Sequence, residues 1–312
     1  MKVCIHIQTH EPHFKYTDLL IKSFLEFTNI SELEIPIFII FDNDHEIEKY
    51  KKTYKYDYKE VNYIDVSNTI NNVELKFTEK SNELFKHKIN IQWGSGGHRN
   101  YVAVKRIYSI LELEKRGYSH VWCMDSESLV LKELDIQKII EHNLNKPLLT
   151  IGKYQYGIKY PQIINDLFKL NYEDFKNISV RMNDFWFIHT NYFSEMINFL
   201  FEIHKNPISY FINGSEQSIY EYYIYYKYIK DNNSVNLIEI EGDLHENNLF
   251  KQIIYNDKLN LDYLCEKLNN IYFDYVQSYR GDYYKMTLGS QRGKELIRKL
   301  NISIAVSNYT GM

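Results

Sequence analysis

A chain of 312 residues with 44% hydrophobic and 25% charged residues is too apolar for disorder, and only 12 Gly with 5 Pro exclude a collagenous or linker-dominated chain. Its 37 basic and 41 acidic residues leave a formal charge of −4, so no global field draws nucleic acid. Cys4, Cys123 and Cys265 are odd in number and scattered, which fits neither a disulfide framework nor a CxxC-type zinc site and points to a reducing cytoplasm.

In chain order, residues 2–9 read as a strand, 18–27 as an amphipathic helix, 35–41 as a buried strand and 61–66 as a third strand. This alternation predicts α/β architecture around a mostly parallel sheet. The run at 35–41 is the longest strongly apolar one, far short of the roughly 20 residues of a spanning helix. The N-terminus is broken by polar residues too early for a leader peptide. Residues 67–97 are polar and carry Gly94-Ser95-Gly96-Gly97, so a long loop with some helix is expected there. A helix over 98–116 sets Ala103, Ile107, Ile110 and Leu111 on one face, with Lys105, Arg106, Ser109 and Glu112 turned away from it.

Then comes His120-Val121-Trp122-Cys123-Met124-Asp125-Ser126-Glu127, an apolar strand that stops on acids. Further on, a helix (133–143), a strand (147–151), a strand pair near 180–190, a helix (191–203) and a tyrosine-rich helix (215–229) are expected. Ile219, Tyr222, Tyr223 and Tyr226 fall on one stripe of that last helix and are expected in the core or on a partner face rather than as a sugar platform. A strand (235–240) and helices at 261–268 and 294–300 end the pattern. Residues 1–250, with halves 1–135 and 136–250, are expected to form one unit, and 251–312 a helical C-terminal extension packed on it. The tyrosines at 50–58 sit among lysines and are expected at the surface.

Asp125 and Glu127 carry the chemistry. In an open α/β sheet the ligand crevice lies beyond the carboxyl ends of the strands. Two acids at i and i+2 across a bend suit one hard divalent cation, which prefers oxygen ligands and can neutralise a diphosphate leaving group. A bare D-x-E also describes a solvated turn.

The sweep from Arg99 through Leu134, helix then HVWCMDSESLVLKEL, resembles the central segment of GT-A-fold glycosyltransferases, in which a helix feeds a strand ending in a DxD motif. It is also similar to a bacterial group of predicted nucleotide-diphospho-sugar transferases, with a looser later match at Ser215-Glu216-Gln217-Ser218-Ile219-Tyr220. The resemblance covers roughly residues 1 to 250. It implies a GT-A-like, Rossmann-like sheet and metal-dependent transfer of a sugar from a nucleotide-sugar donor, UDP-linked by preference, to a glycan or lipid-linked acceptor, as in surface polysaccharide assembly.

Carried over residue by residue, Asp125 and Glu127 match the two acids that hold Mn2+ or Mg2+, with Ser126 between them on the donor side and His245 as the late histidine of the metal shell. Glu127 is one methylene longer than the commoner Asp. Lys105, or alternatively Arg99, matches the basic residue that contacts the diphosphate or base. Thr9, His10 and Asp42 lie at strand ends beside the nucleotide, and turn chemistry alone also explains Asp42. Asp184 and Trp186 fall where sugar hydroxyls and a stacking ring are expected. Glu216, at a helix start, is the candidate base of an inverting transferase, with Glu221 a turn later as the alternative.

A sugar-phosphate nucleotidyltransferase is the second enzyme reading, weakened by the absence of glycine in the stretch 9–15. A noncatalytic carbohydrate-binding or scaffold protein is the third. Basic residues Arg280, Lys285, Arg292, Lys294, Arg298 and Lys299 cluster late, which fits a solvated helix or peripheral contact with an anionic membrane at its inner face better than nucleic acid.

Overall fold

The computed structural model describes residues 2–72, 97–126, 128–130, 133–153, 168–169, 178–182, 187–204, 216–231, 236–243, 275–278 and 304–307. Its centre is a five-stranded sheet built from β1 (Val3–Gln8), β2 (Ile37–Phe41), β3 (Val61–Asp65), β4 (His120–Asp125) and β8 (Phe187–His189), in the order β3-β2-β1-β4-β8. The β1–β2, β2–β3 and β1–β4 ladders are parallel and β8 runs antiparallel to β4, so the α/β fold with a mostly parallel sheet is the observed one. These strands read as near-continuous apolar runs because helices cover both faces and leave no polar side.

Helices α1 (Phe14–Phe27) and α2 (Asp44–Thr53) make the crossovers β1 to β2 and β2 to β3; α3 (Val66–Asn72) follows β3, and α4 (Gly97–Lys115) precedes β4. Alternate residues of one strand serve opposite layers. Ile5 and Ile7 of β1 join Ile37, Ile39, Trp122, Phe24 of α1 and Tyr50 of α2 on one face. Cys4 joins Phe38, Ile40, Val121, Cys123 and Ile107, Ile110 and Leu113 of α4 on the other. Gly117, at φ +87°, closes α4, and the Tyr118 N–H reaches back to the Leu113 carbonyl at 3.0 Å, a left-handed helix end that glycine adopts without strain.

β5 (Ser128–Val130), α5 (Ile136–Asn143), β6 (Leu148–Lys153), β7 (Ile178–Met182), α6 (Thr190–Ile203), α7 (Glu216–Lys230) and β9 (Asn236–Asp243) follow. β7 pairs antiparallel and β9 parallel with β6. The strand pair expected near 180–190 is thus two strands in different sheets: β7 belongs to this small sheet and β8 to the central one.

In the segment expected to be helical, the described residues form β10 (Tyr275–Ser278) and β11 (Ile304–Ser307), and β11 pairs antiparallel with β5, directly after the acidic turn. The expected helices at 261–268 and 294–300 lie outside the described residues. In the expected loop at 67–97, α3 occupies the start and α4 begins at Gly97.

The tyrosines divide differently from the expectation. Ile219, Tyr222 and Tyr223 are buried in the core as expected. Tyr50 is also wholly buried, and its hydroxyl meets that of Tyr56, which donates to Asp18 at 3.1 Å; Tyr58 donates to the Ile35 carbonyl at 2.7 Å. Lysine-rich flanks hid an inward-facing stripe whose phenol tips find acceptors below the surface.

Candidate active site

The strand order reverses direction between β1 and β4, and that switch point is where an open α/β sheet opens a crevice at its carboxyl edge. Gln8 and Asp125 are Cα partners at the last register position of the two strands. Thr9, His10 and the single 3-10 turn Glu11–His13 leave β1 there, Asp42 leaves β2, and Ser126 leaves β4.

Lys105 of α4 reaches into this edge from below. Its ammonium pairs with Asp42 Oδ1 at 3.0 Å, with side chains 4% and 3% exposed, and donates to the Thr9 carbonyl. The Asp42 N–H donates to Glu46 Oε2 at 3.1 Å, and the Asp42 carbonyl accepts from Ser67 N–H at 3.3 Å. Glu46 stands at this place because Asn43 caps α2, its Oδ1 accepting the Glu46 N–H at 3.1 Å. Thr9 is held by its N–H to the Ile40 carbonyl at 3.0 Å and its hydroxyl to that of Thr17 at 2.6 Å. Burial pulls the Lys105 ammonium down to about 7, opposed by the Glu46 carboxylate, and burial raises Glu46.

Arg106, the next residue of α4, is also buried, and its guanidinium lies 4.0 Å from Asp125 Oδ1. Asp125 keeps 31% of its side-chain surface open; the packing around the carboxyl raises its pKa while Arg106 opposes that shift. His13 Nδ1 lies 3.1 Å from Ser126 Oγ, so the turn after β1 is tied across the crevice to the turn after β4. The His10 ring packs on that of His13 at a tilt of 35°, with centroids 4.0 Å apart. Behind this layer His6 Nε2 meets Ser109 Oγ at 2.7 Å, and burial, reinforced by Arg106, holds His6 neutral well below the usual imidazole range.

Lys105, Arg106 and Ser109 thus face inward, against the expectation of an outward polar face on α4. Each has a polar partner at the sheet, which is the condition for burying such groups. Arg106, His13 and Glu46 were missed as site residues; two basic residues in tandem beside an apolar stripe, ahead of a strand that ends on acids, were the available signal for Arg106.

Thr9, His10, Asp42, Lys105, Asp125 and Ser126 therefore converge on one edge. Arg99 lies in the first turn of α4 and Glu216 is the first residue of α7, with their side chains outside the described set; Glu127, Asp184, Trp186 and His245 lie outside the described residues. α7 meets the central sheet through Tyr220, whose hydroxyl accepts from the His189 N–H at 3.2 Å and donates to its carbonyl at 3.3 Å. His189 is the partner of His120 at the amino end of β4, roughly 17 Å along the strand from Asp125. Glu221, next to Tyr220 on α7, is buried.

Asp125 offers a hard cation an open carboxylate, and the Ser126 hydroxyl stands beside it; among the described residues no group of three His, Cys, Asp or Glu is placed to hold a metal. A groove of about 740 Å³ follows β3, lined by Asp44, Lys51, Tyr63, Asp65, Asn68 and Arg116 among others. It lies two strands from the β1–β4 junction, and Thr9, Lys105 and Asp125 do not line it. Among the described residues no helix is long and apolar enough to cross a membrane.

No protein-family model matches the chain, and no curated protein matches it. Among solved structures it is similar to a mannosyltransferase of S. cerevisiae, with a TM-score of 0.43 and 13% identity over 72% of this chain and 65% of that one. It is also similar to mouse xyloside xylosyltransferase 1 in its apo form, with a TM-score of 0.42 and 8% identity over 98% and 97% of the two chains. A third similar structure is a galactosyltransferase in complex with donor and acceptor sugar analogues, with a TM-score of 0.38 and 10% identity over 98% and 87%. The match spans less than two thirds of the length of the yeast enzyme.

Proposed function

We propose that the chain is a metal-dependent glycosyltransferase that moves a sugar from a nucleotide-sugar donor, UDP-linked by preference, to a glycan or lipid-linked acceptor in surface polysaccharide assembly. The observation that carries this reading is the pairing of Gln8 with Asp125 at the β1–β4 switch point, which sets an open carboxylate where such a sheet receives its ligand. The sequence resemblance of the segment 99–134 supplies the reaction class.

In this reading Thr9 and His10 meet the base and ribose at the end of β1, with Asp42 held beside them. Asp125, Ser126, Glu127 and His245 form the metal and diphosphate side, and Arg106 tempers the charge of Asp125. When bound, Mn2+ or Mg2+ neutralises negative charge building on the diphosphate leaving group. Asp184 binds sugar hydroxyls and Glu216 takes the proton from the acceptor hydroxyl.

Incubation with UDP-, GDP- and CMP-sugars, with and without Mn2+, tests the proposal. Metal-dependent release of free nucleotide from one donor supports it. Absence of both release and any thermal shift with every nucleotide would sink it.

A further inference from the structure

The carboxyl edge is braced from within by a residue that has no open path to a ligand. Lys105 is buried on α4, yet its ammonium ties together the ends of two strands, through the Thr9 carbonyl after β1 and the Asp42 carboxylate after β2. Asp42 is the hub of this brace. Its side chain meets α4, its N–H meets Glu46 of α2, and its carbonyl meets Ser67 of α3. A lysine turned to a diphosphate needs its ammonium in the crevice; here the ammonium is occupied below it.

We propose that Lys105 is a positioning residue rather than a ligand contact: its charge fixes the Thr9 and Asp42 strand ends in the arrangement that receives the nucleotide, and nucleotide affinity depends on that charge. The inference rests on the transferase reading of this edge. Its physical basis is that a paired buried charge orders the groups around it, while loss of that charge removes the ammonium that joins the Asp42 carboxylate to the Thr9 carbonyl.

The charge is also the variable part of the brace. Asp42 and Glu46 face the ammonium with negative charge, while His6 of β1 and Arg106 of α4 stand nearby, His6 held neutral and Arg106 positive. Burial outweighs the opposing Glu46 carboxylate and brings the Lys105 pKa down to about 7, so the brace loses its proton as the pH rises through neutrality. Arginine at the same place keeps its charge through that range.

The test measures UDP and GDP binding in the presence of Mn2+ by calorimetry, for wild type, Asp42→Asn, Lys105→Met, the double variant and Lys105→Arg. The expected result is that each single neutral variant loses about tenfold in affinity while the double variant is no weaker than either, since both changes break one interaction. Losses that multiply would overturn the proposal, because Lys105 would then act on the ligand by itself; wild-type affinity in Lys105→Met would overturn it too.

A second arm holds if Lys105→Met fails to fold. Wild-type affinity should fall as the pH is raised from about 6.5 to 8.5, with a smaller fall in Lys105→Arg and in Asp42→Asn; identical profiles in all three overturn the proposal. Absence of wild-type binding to either nucleotide removes the transferase reading, and this inference with it, whereas wild-type binding with unchanged variants removes only the inference.

Discussion

Gln8 and Asp125 face each other at the last rung of the β1–β4 ladder, one residue before each chain leaves the sheet. Everything placed at the site follows from that rung. Residues one or two positions further, Thr9 and His10 on one side and Ser126 on the other, leave the sheet at the same edge, and the His13–Ser126 contact at 3.1 Å joins the two turns.

Replacing Asp125 with Asn keeps the shape of the side chain and removes its charge. Mn2+-dependent nucleotide binding should disappear while the protein keeps a cooperative thermal melt, because the amide fills the same volume at a position that is 31% open. Undiminished binding in Asp125→Asn rejects the metal role.

Glu216→Gln should spare donor binding and remove transfer to an acceptor sugar, since an amide cannot take up the proton. Full transfer by that variant moves the base elsewhere. Glu221 is a poor substitute, being buried beside Tyr220 on α7.

The Tyr220 hydroxyl joins α7 to the central sheet through the His189 N–H and carbonyl. Tyr220→Phe leaves the His189 N–H without this partner in a buried place, a loss of about 1–3 kcal/mol. Urea denaturation should show a lower midpoint with an unchanged slope, and a midpoint equal to wild type contradicts the assigned role.

Stability should fall on acidification through a histidine pair remote from the site. His120 and His189 are cross-strand partners with ring centroids 4.4 Å apart, and both are buried. Burial, then the neighbouring His120, lowers His189 to about 3, and burial lowers His120. The folded pKa lies below the unfolded value of about 6.5, so the unfolded chain takes up the proton first. Stability is therefore full above about pH 6.5 and is lost as the pH falls below it toward 3. At pH 5 the loss from His189 alone is about 2 kcal/mol. Thermal melts at pH 7.5 and 5 should show a smaller drop for His189→Gln than for wild type; parallel drops contradict the claim.

The strand ends were legible because apolar runs that stop on polar residues mark where a parallel sheet ends, which is how Thr9, Asp42 and Asp125 came into view together. The helix before β4 was legible as a helix and misread in its facing. Hydrophobic periodicity separates apolar from polar positions, and it does not distinguish polar groups turned to water from polar groups turned to charged partners across a sheet edge. Lys105, Arg106 and Ser109 belong to the second kind, and their partners Asp42, Asp125 and His6 are 63, 19 and 103 residues away. The same limit hid Tyr50 and the β11–β5 pairing, since contacts over such separations leave no local trace.

The most direct measurement is a crystal structure of the protein grown with UDP and Mn2+. The base and ribose are expected against Thr9 and His10, with Asp42 held beside them, and the diphosphate and the metal at Asp125. Nucleotide density in the groove along β3 or at any other place, with the β1–β4 edge empty, would contradict it.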